Sequence, residues 1–97
     1  MKTVIETATF TKNAEREWWT EERLAFVSWI AVNPLAGDVI PSVEGVRKVR
    51  WSVKGAGKSG GVRVVYYNID QDLLLLIDIY RKNKIANTSA SEIKKVR

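Results

Sequence analysis

The sequence predicts an α+β fold with the order β-α-α-β-β-β and a short C-terminal helix. An N-terminal strand and an αα-hairpin are expected to pack on an antiparallel sheet. Three observations lead there. Residues 20–33 carry apolar side chains at helical spacing and stop at Pro34. Residues 46–53 (VRKVRWSV) alternate apolar and charged side chains, the period of a strand with one buried face. Residues 73–80 (LLLLIDIY) form a continuous apolar run, as in a central strand covered on both sides.

In chain order, Thr3–Phe10 is rich in β-branched residues and reads as the first strand. Thr11 follows as an N-cap for a short polar helix that reaches Trp19. Thr20 opens the second helix, with Glu21 and Glu22 where the helix dipole favours negative charge. Leu24, Val27 and Ala31 share one helical spacing, and Phe26, Trp29 and Ile30 another. The Trp and Phe residues of this hairpin are expected in the core. Asn33, preceding Pro34, is pushed out of the helical region. Leu35–Gly45 reads as a loop, punctuated by Gly37, Pro41 and Gly45. In the strand at 46–53, Val49, Trp51 and Val53 suit the core side, while Lys48, Arg50 and Ser52 suit an open side. Arg47 breaks that pattern. Val62–Ile69 is the next strand, Asn68–Asp72 a turn, and Leu73–Tyr80 the last strand, with Asp78, Tyr80 and Lys82 in phase. Ser89 and Glu92 fit a capping box that opens a final helix. No repeat or interdomain linker interrupts residues 1–97, which read as one domain.

Composition narrows the chemistry. The chain of 97 residues is 45% hydrophobic and 28% charged, the balance of a globular domain. It contains no cysteine, which removes disulfides and thiolate metal sites and allows an intracellular location. It contains no histidine, which removes the commonest general base and metal ligand. Catalysis would fall to Lys, Arg, Tyr, Ser, Thr, Asp or Glu. No cofactor is expected. No apolar run has the length of a membrane span, and no signal peptide is evident. A net charge of +5 and a pI near 9.7 favour an anionic partner.

That charge is concentrated. Arg47, Lys48, Arg50, Lys54, Lys58 and Arg63 lie between Val46 and Tyr67, with no acid among them. Like charges crowded on one sheet repel, so the arrangement costs stability unless a polyanion sits there. Gly55, Gly57, Lys58 and Ser59 suggest a phosphate-binding P-loop, but Ser52 stands where the first glycine of that motif belongs, and the segment that follows is strand-like. The glycines read instead as a hairpin loop able to close over a nucleic-acid backbone. Lys48, Arg50, Lys54, Arg63 and Lys82, with Tyr80 nearby, form the candidate constellation. The bland alternative is a solvated basic face. The relative phase of the three strands is open in the sequence; the phase preferred here groups Arg63 with Lys48, Arg50, Asp78, Tyr80 and Lys82.

The run RKVRWSVKGAGKSGGVRVVYYN, followed by a strand ending in Tyr80, Arg81, Lys82 and Asn83, resembles the RelE/ParE toxin superfamily, closest to its HigB-type branch. The resemblance spans about residues 1–95 and includes Asn33-Pro34 and Gly37-Asp38-Val39-Ile40. It departs at Lys84, where the family usually has an acid, and at Arg97, beyond which the family's last helix usually continues. It implies a RelE-like fold and a cytoplasmic toxin of a type II toxin–antitoxin system. The implied activity is ribosome-dependent cleavage of messenger RNA, by metal-independent attack of a 2′-hydroxyl on the adjacent phosphate. Lys54, Arg63, Tyr80 and Lys82 would be the catalytic set, and Arg47, Lys48, Arg50 and Lys58 would bind RNA. The implied partners are the ribosome, messenger RNA and a helix-turn-helix antitoxin of the HigA kind. A ParE-like inhibitor of DNA gyrase and a non-catalytic RNA-binding module are the rival readings.

Overall fold

The computed structural model describes residues 1–51 and 61–81. The glycine-rich loop, with Lys54 and Lys58, lies outside the described residues, as do Lys82 and the helix expected after Ser89.

Seven elements follow in the order β1 (Thr3–Glu6), α1 (Ala8–Glu17), α2 (Thr20–Val32), β2 (Asp38–Val39), β3 (Val46–Trp51), β4 (Val62–Asn68) and β5 (Leu73–Arg81). They build an α+β domain on a sheet of strand order β1-β5-β4-β3-β2. β3, β4 and β5 form an antiparallel meander. The sheet is mixed rather than wholly antiparallel, because β1 pairs parallel with β5, Thr3 opposite Leu73 and Glu6 opposite Leu76. The connection that this parallel pair requires runs through both helices and then back across the sheet through β2, β3 and β4. β5 is accordingly central, as its apolar run indicates.

The first strand is shorter than its β-branched composition suggests. Thr7, not Thr11, caps α1: its hydroxyl accepts the Phe10 N–H at 3.0 Å and donates to the Ile77 carbonyl at 2.7 Å. One threonine thereby starts the helix and pins it to β5. Thr11 instead donates to Glu6, which also pairs with Arg23 of α2.

The helices cover one sheet face. Phe10, Ala14, Trp18, Phe26 and Ile30 pack there on Val49, Val62, Val64, Tyr66, Leu74, Leu76 and Ile79. Trp18, Phe26, Trp29 and Trp51 stack in a chain with ring centroids 5.2–6.2 Å apart. The expected aromatic core holds except at Trp19, which is 79% exposed because it precedes the first turn of α2 and points away from the sheet. Leu24 is also exposed, since Phe26 and Ile30 set the buried line of the helix.

The second face is not simply open. The segment between β2 and β3 folds back over it, closed by Ile40 N–H to the Val46 carbonyl at 2.9 Å. It buries Val43 on Val46, Val65 and Ile77, with Ile40, Tyr67, Leu75 and Tyr80 around them. Gly45 makes the final turn at φ +79°, and a Cβ there would meet the Tyr67 ring at 2.7 Å. The expected loop at 35–45 therefore holds a short edge strand and a cover for half of the second face.

A further tie fixes that cover. Tyr66 is fully buried; its hydroxyl donates to the Pro34 carbonyl at 2.9 Å and accepts the Gly37 N–H at 3.0 Å. Asn68 donates to the same Pro34 carbonyl. Gly37 has no room for a side chain, as a Cβ would lie 2.8 Å from the Lys48 carbonyl oxygen. The turn after α2 is thus docked on β3 and β4, which places Asp38 opposite Lys48.

Candidate nucleic-acid interface

The site begins with the pleat of β3. Val49 and Trp51 face the helices, so Lys48 and Arg50 project from the other side. Register then decides which side chains join them. Arg50 stands opposite Arg63 of β4, and Arg63 stands opposite Tyr80 of β5. Directly opposed residues on one sheet face bring their Cβ atoms to about 4.5–5.5 Å. Arg50, Arg63 and Tyr80 therefore form a row across three strands. Lys48 lies one pleat along, opposite Val65 and facing Asp38 across the other edge.

Tyr80 owes its place to a bulge. Leu74 and Leu76 face the helices, and so does Ile79, which an unbroken strand would have turned away. The register jumps between Val65 and Tyr66: Val65 opposes Asp78 while Tyr66 opposes Leu76, and Ile77 faces no partner. The extra residue shifts the phase of β5, so Tyr80 emerges on the side of Arg63. Bulges recur beside functional sites for this re-aiming.

Asp78 lies within the bulge and is 2% exposed. Its Oδ1 accepts from Asn13 Nδ2 of α1 at 2.7 Å and from the Ile79 N–H at 2.8 Å. A buried carboxylate needs such donors. Desolvation by burial pushes the Tyr80 phenol above its ordinary value; the nearby Arg63 charge pulls it down, and the Asp78 charge pushes it up. Tyr80 is therefore a neutral hydroxyl, able to donate a hydrogen bond, throughout the neutral range.

Of the residues singled out by sequence, Lys48, Arg50, Arg63 and Tyr80 are brought together. Arg47 is not. It projects to the helix side, where its Nη1 donates to the Gly37 carbonyl at 2.6 Å and to the Leu35 carbonyl at 3.3 Å. Its charge holds the turn after α2, which explains why it breaks the alternation. Asp38 and Asn13 were not anticipated. The isolated acid in LLLLIDIY signals a buried carboxylate in need of a donor, but nothing in the sequence points to Asn13. Arg81 turns to the helix side and pairs with Glu17 of α1.

Two arginines stand in direct register across β3 and β4, an arrangement that a bound anion would stabilise. The Tyr80 hydroxyl at the end of the row supplies a neutral donor. Among the described residues, no cluster of His, Cys, Asp and Glu is suited to a metal ion. Among them also, no helix is long and apolar enough to cross a membrane. No protein-family model matches the sequence.

Proposed function

We propose that the protein is a RelE-like, HigB-type toxin that cleaves messenger RNA on the ribosome. The observation that carries this reading is the cross-strand row Arg50–Arg63–Tyr80 on the sheet face away from the helices. Cleavage requires a base for the 2′-hydroxyl, charge stabilisation at phosphorus and an acid for the leaving oxygen. Arg63 and Arg50 clamp the phosphate; guanidinium groups stay protonated and make bidentate contacts with it. The 2′-oxygen attacks phosphorus as its proton passes to the base. The bond from phosphorus to the 5′-oxygen breaks, leaving a 2′,3′-cyclic phosphate and a 5′-hydroxyl. Tyr80, kept protonated by burial, donates the proton to that 5′-oxygen. Lys54 and Lys82 are the candidates for the base, a role that requires a depressed pKa. Lys48 and Lys58 hold flanking phosphates. A helix-turn-helix antitoxin is the expected neutralising partner.

Purified protein is to be incubated with messenger, with and without ribosomes, beside a gyrase supercoiling assay. Cleavage that requires ribosomes and leaves cyclic phosphate ends supports the reading. Intact messenger with arrested supercoiling would replace it with the ParE-like activity.

A further inference from the structure

Helix α2 is charged only in its first turn, at Glu21, Glu22 and Arg23. After Arg23, no charged residue occurs until Asp38. An apolar helix is ordinarily buried all round, yet here Phe26, Ile30 and Ala31 are buried, Val27 and Trp29 partly so, and Leu24, Ala25, Ser28 and Val32 are exposed. Leu24, Ser28 and Val32 descend the outer face at four-residue spacing, and Leu35 is exposed in the turn just past the helix end. Leu24 is 61%, Val32 60% and Leu35 69% exposed. Singly exposed apolar residues need no explanation, but a continuous uncharged strip marks an interaction surface.

The ends of the strip indicate what covers it. Exposed Glu21 lies in the first turn of α2. At the other end Arg47 is fastened to the Leu35 carbonyl. The strip is thus negative at one end, positive at the other and apolar between. Such a surface is complementary to itself when turned through a two-fold axis. With the axis at Ser28, Glu21 of one copy comes level with Leu35, and hence with Arg47, of the other. The helices then run antiparallel, which also opposes their dipoles favourably. The small Ser28 side chain at the crossing lets the two backbones approach.

We infer that the exposed face of α2 is a homodimer interface in which Leu24, Val32 and Leu35 pack about Ser28 and Glu21 pairs with the partner's Arg47. Two-fold dimers use one patch twice, as this geometry does. A single helix face offers less than the roughly 800 Å² per partner of a standard interface, so the dimer is weak and concentration-dependent. It leaves the sheet face carrying Arg50, Arg63 and Tyr80 outward on both copies, and it stands whether or not that face cleaves RNA.

Sedimentation velocity across about three decades of concentration tests this. The wild-type chain should shift from 11.0 kDa toward twice that mass. Ser28→Arg should hold it at monomer mass, with a thermal melt like that of dilute wild type. Glu21→Lys should raise the dissociation constant about tenfold at low salt and by less at high salt, because the end contacts are screened. Leu24→Lys provides a second disruption if Ser28→Arg disturbs the fold. A wild-type chain that stays monomeric throughout overturns the inference and leaves the strip to a partner of different sequence. A dimer that survives both Ser28→Arg and Leu24→Lys also overturns it, by placing the contact elsewhere.

Discussion

The two ends of the sheet's second face are built from the same three strands and behave as opposites. At one end Val46, Val65 and Ile77 are sealed beneath Val43. At the other, a single pleat or two away, Lys48 and Arg50 are exposed and Arg63 is half-buried. β3 and β4 pair without a break between them, but β4 and β5 slip by one residue at the bulge, and the segment before β3 covers one end only. The covered end gains stability from burial. The basic end gives some away by opposing two arginines. A fold can maintain such an end because the other end and the helical core hold the strands in register.

That contrast can be broken from the covered side first. Ile77→Ala should lower stability by about 2–5 kcal/mol, as large-to-small changes in a core do. Chemical denaturation measures it, and a loss below about 1 kcal/mol would mean the second cluster is not a core. Tyr66→Phe should cost about 1–3 kcal/mol, because the buried Gly37 N–H loses its acceptor. The Pro34 carbonyl keeps Asn68, so the effect belongs mainly to one bond.

Tyr66 also sets a pH limit. Burial raises its phenol above 10.0; the Gly37 N–H and the Arg47 charge oppose that rise, and the Asp38 charge adds to it. The unfolded chain would therefore lose the proton before the folded one. The contribution is fully present below about pH 10 and is lost as pH climbs through the folded value. Stability should decline above about pH 10, and Tyr66→Phe should make that decline shallower in denaturation curves taken from pH 8 to 11. Equal slopes in the two proteins would remove Tyr66 as the cause.

The basic end should respond least in stability, and with the opposite sign. Arg50→Thr removes a like-charge pair, so at low salt the protein should become more stable by about 0.2–1 kcal/mol. The gain should shrink as salt screens the pair. A clear loss would show that Arg50 supports the fold rather than burdening it.

Much of this architecture was legible in the chain. The alternation of Val49 and Trp51 with Lys48 and Arg50 gave the two faces, and LLLLIDIY gave the central strand. The helix at 20–32 followed from its apolar spacing and Pro34. What escaped was set by tertiary contact. Thr7 outcompeted Thr11 as a cap because it also reaches the Ile77 carbonyl. The Asp38–Val39 strand is two residues long and exists only because the turn is held by Tyr66 and Arg47. In the site, Arg63 could be grouped with Arg50 once a phase was chosen. The bulge that delivers Tyr80 leaves no local signature, since Leu76 through Ile79 are all buried whichever way they point. Arg47 looked like one more cation in a basic run, and only its bonds to the Gly37 and Leu35 carbonyls reveal it as a support for the turn.

The central claim, that the basic end acts on RNA, rests on Arg63 more than on any other residue. Arg63→Ala should leave the melting curve within about 0.5 kcal/mol of wild type, as changes on a sheet surface do. Loss of a transition-state charge contact should cost about 2.7–4 kcal/mol, or two to three decades in rate. Ribosome-programmed messenger cleavage by the two proteins, measured beside their thermal melts, separates these effects. The expected result is a rate lower by a factor of about 100–1,000 with an unchanged melt. An Arg63→Ala protein that melts normally and cuts at the wild-type rate would contradict the account.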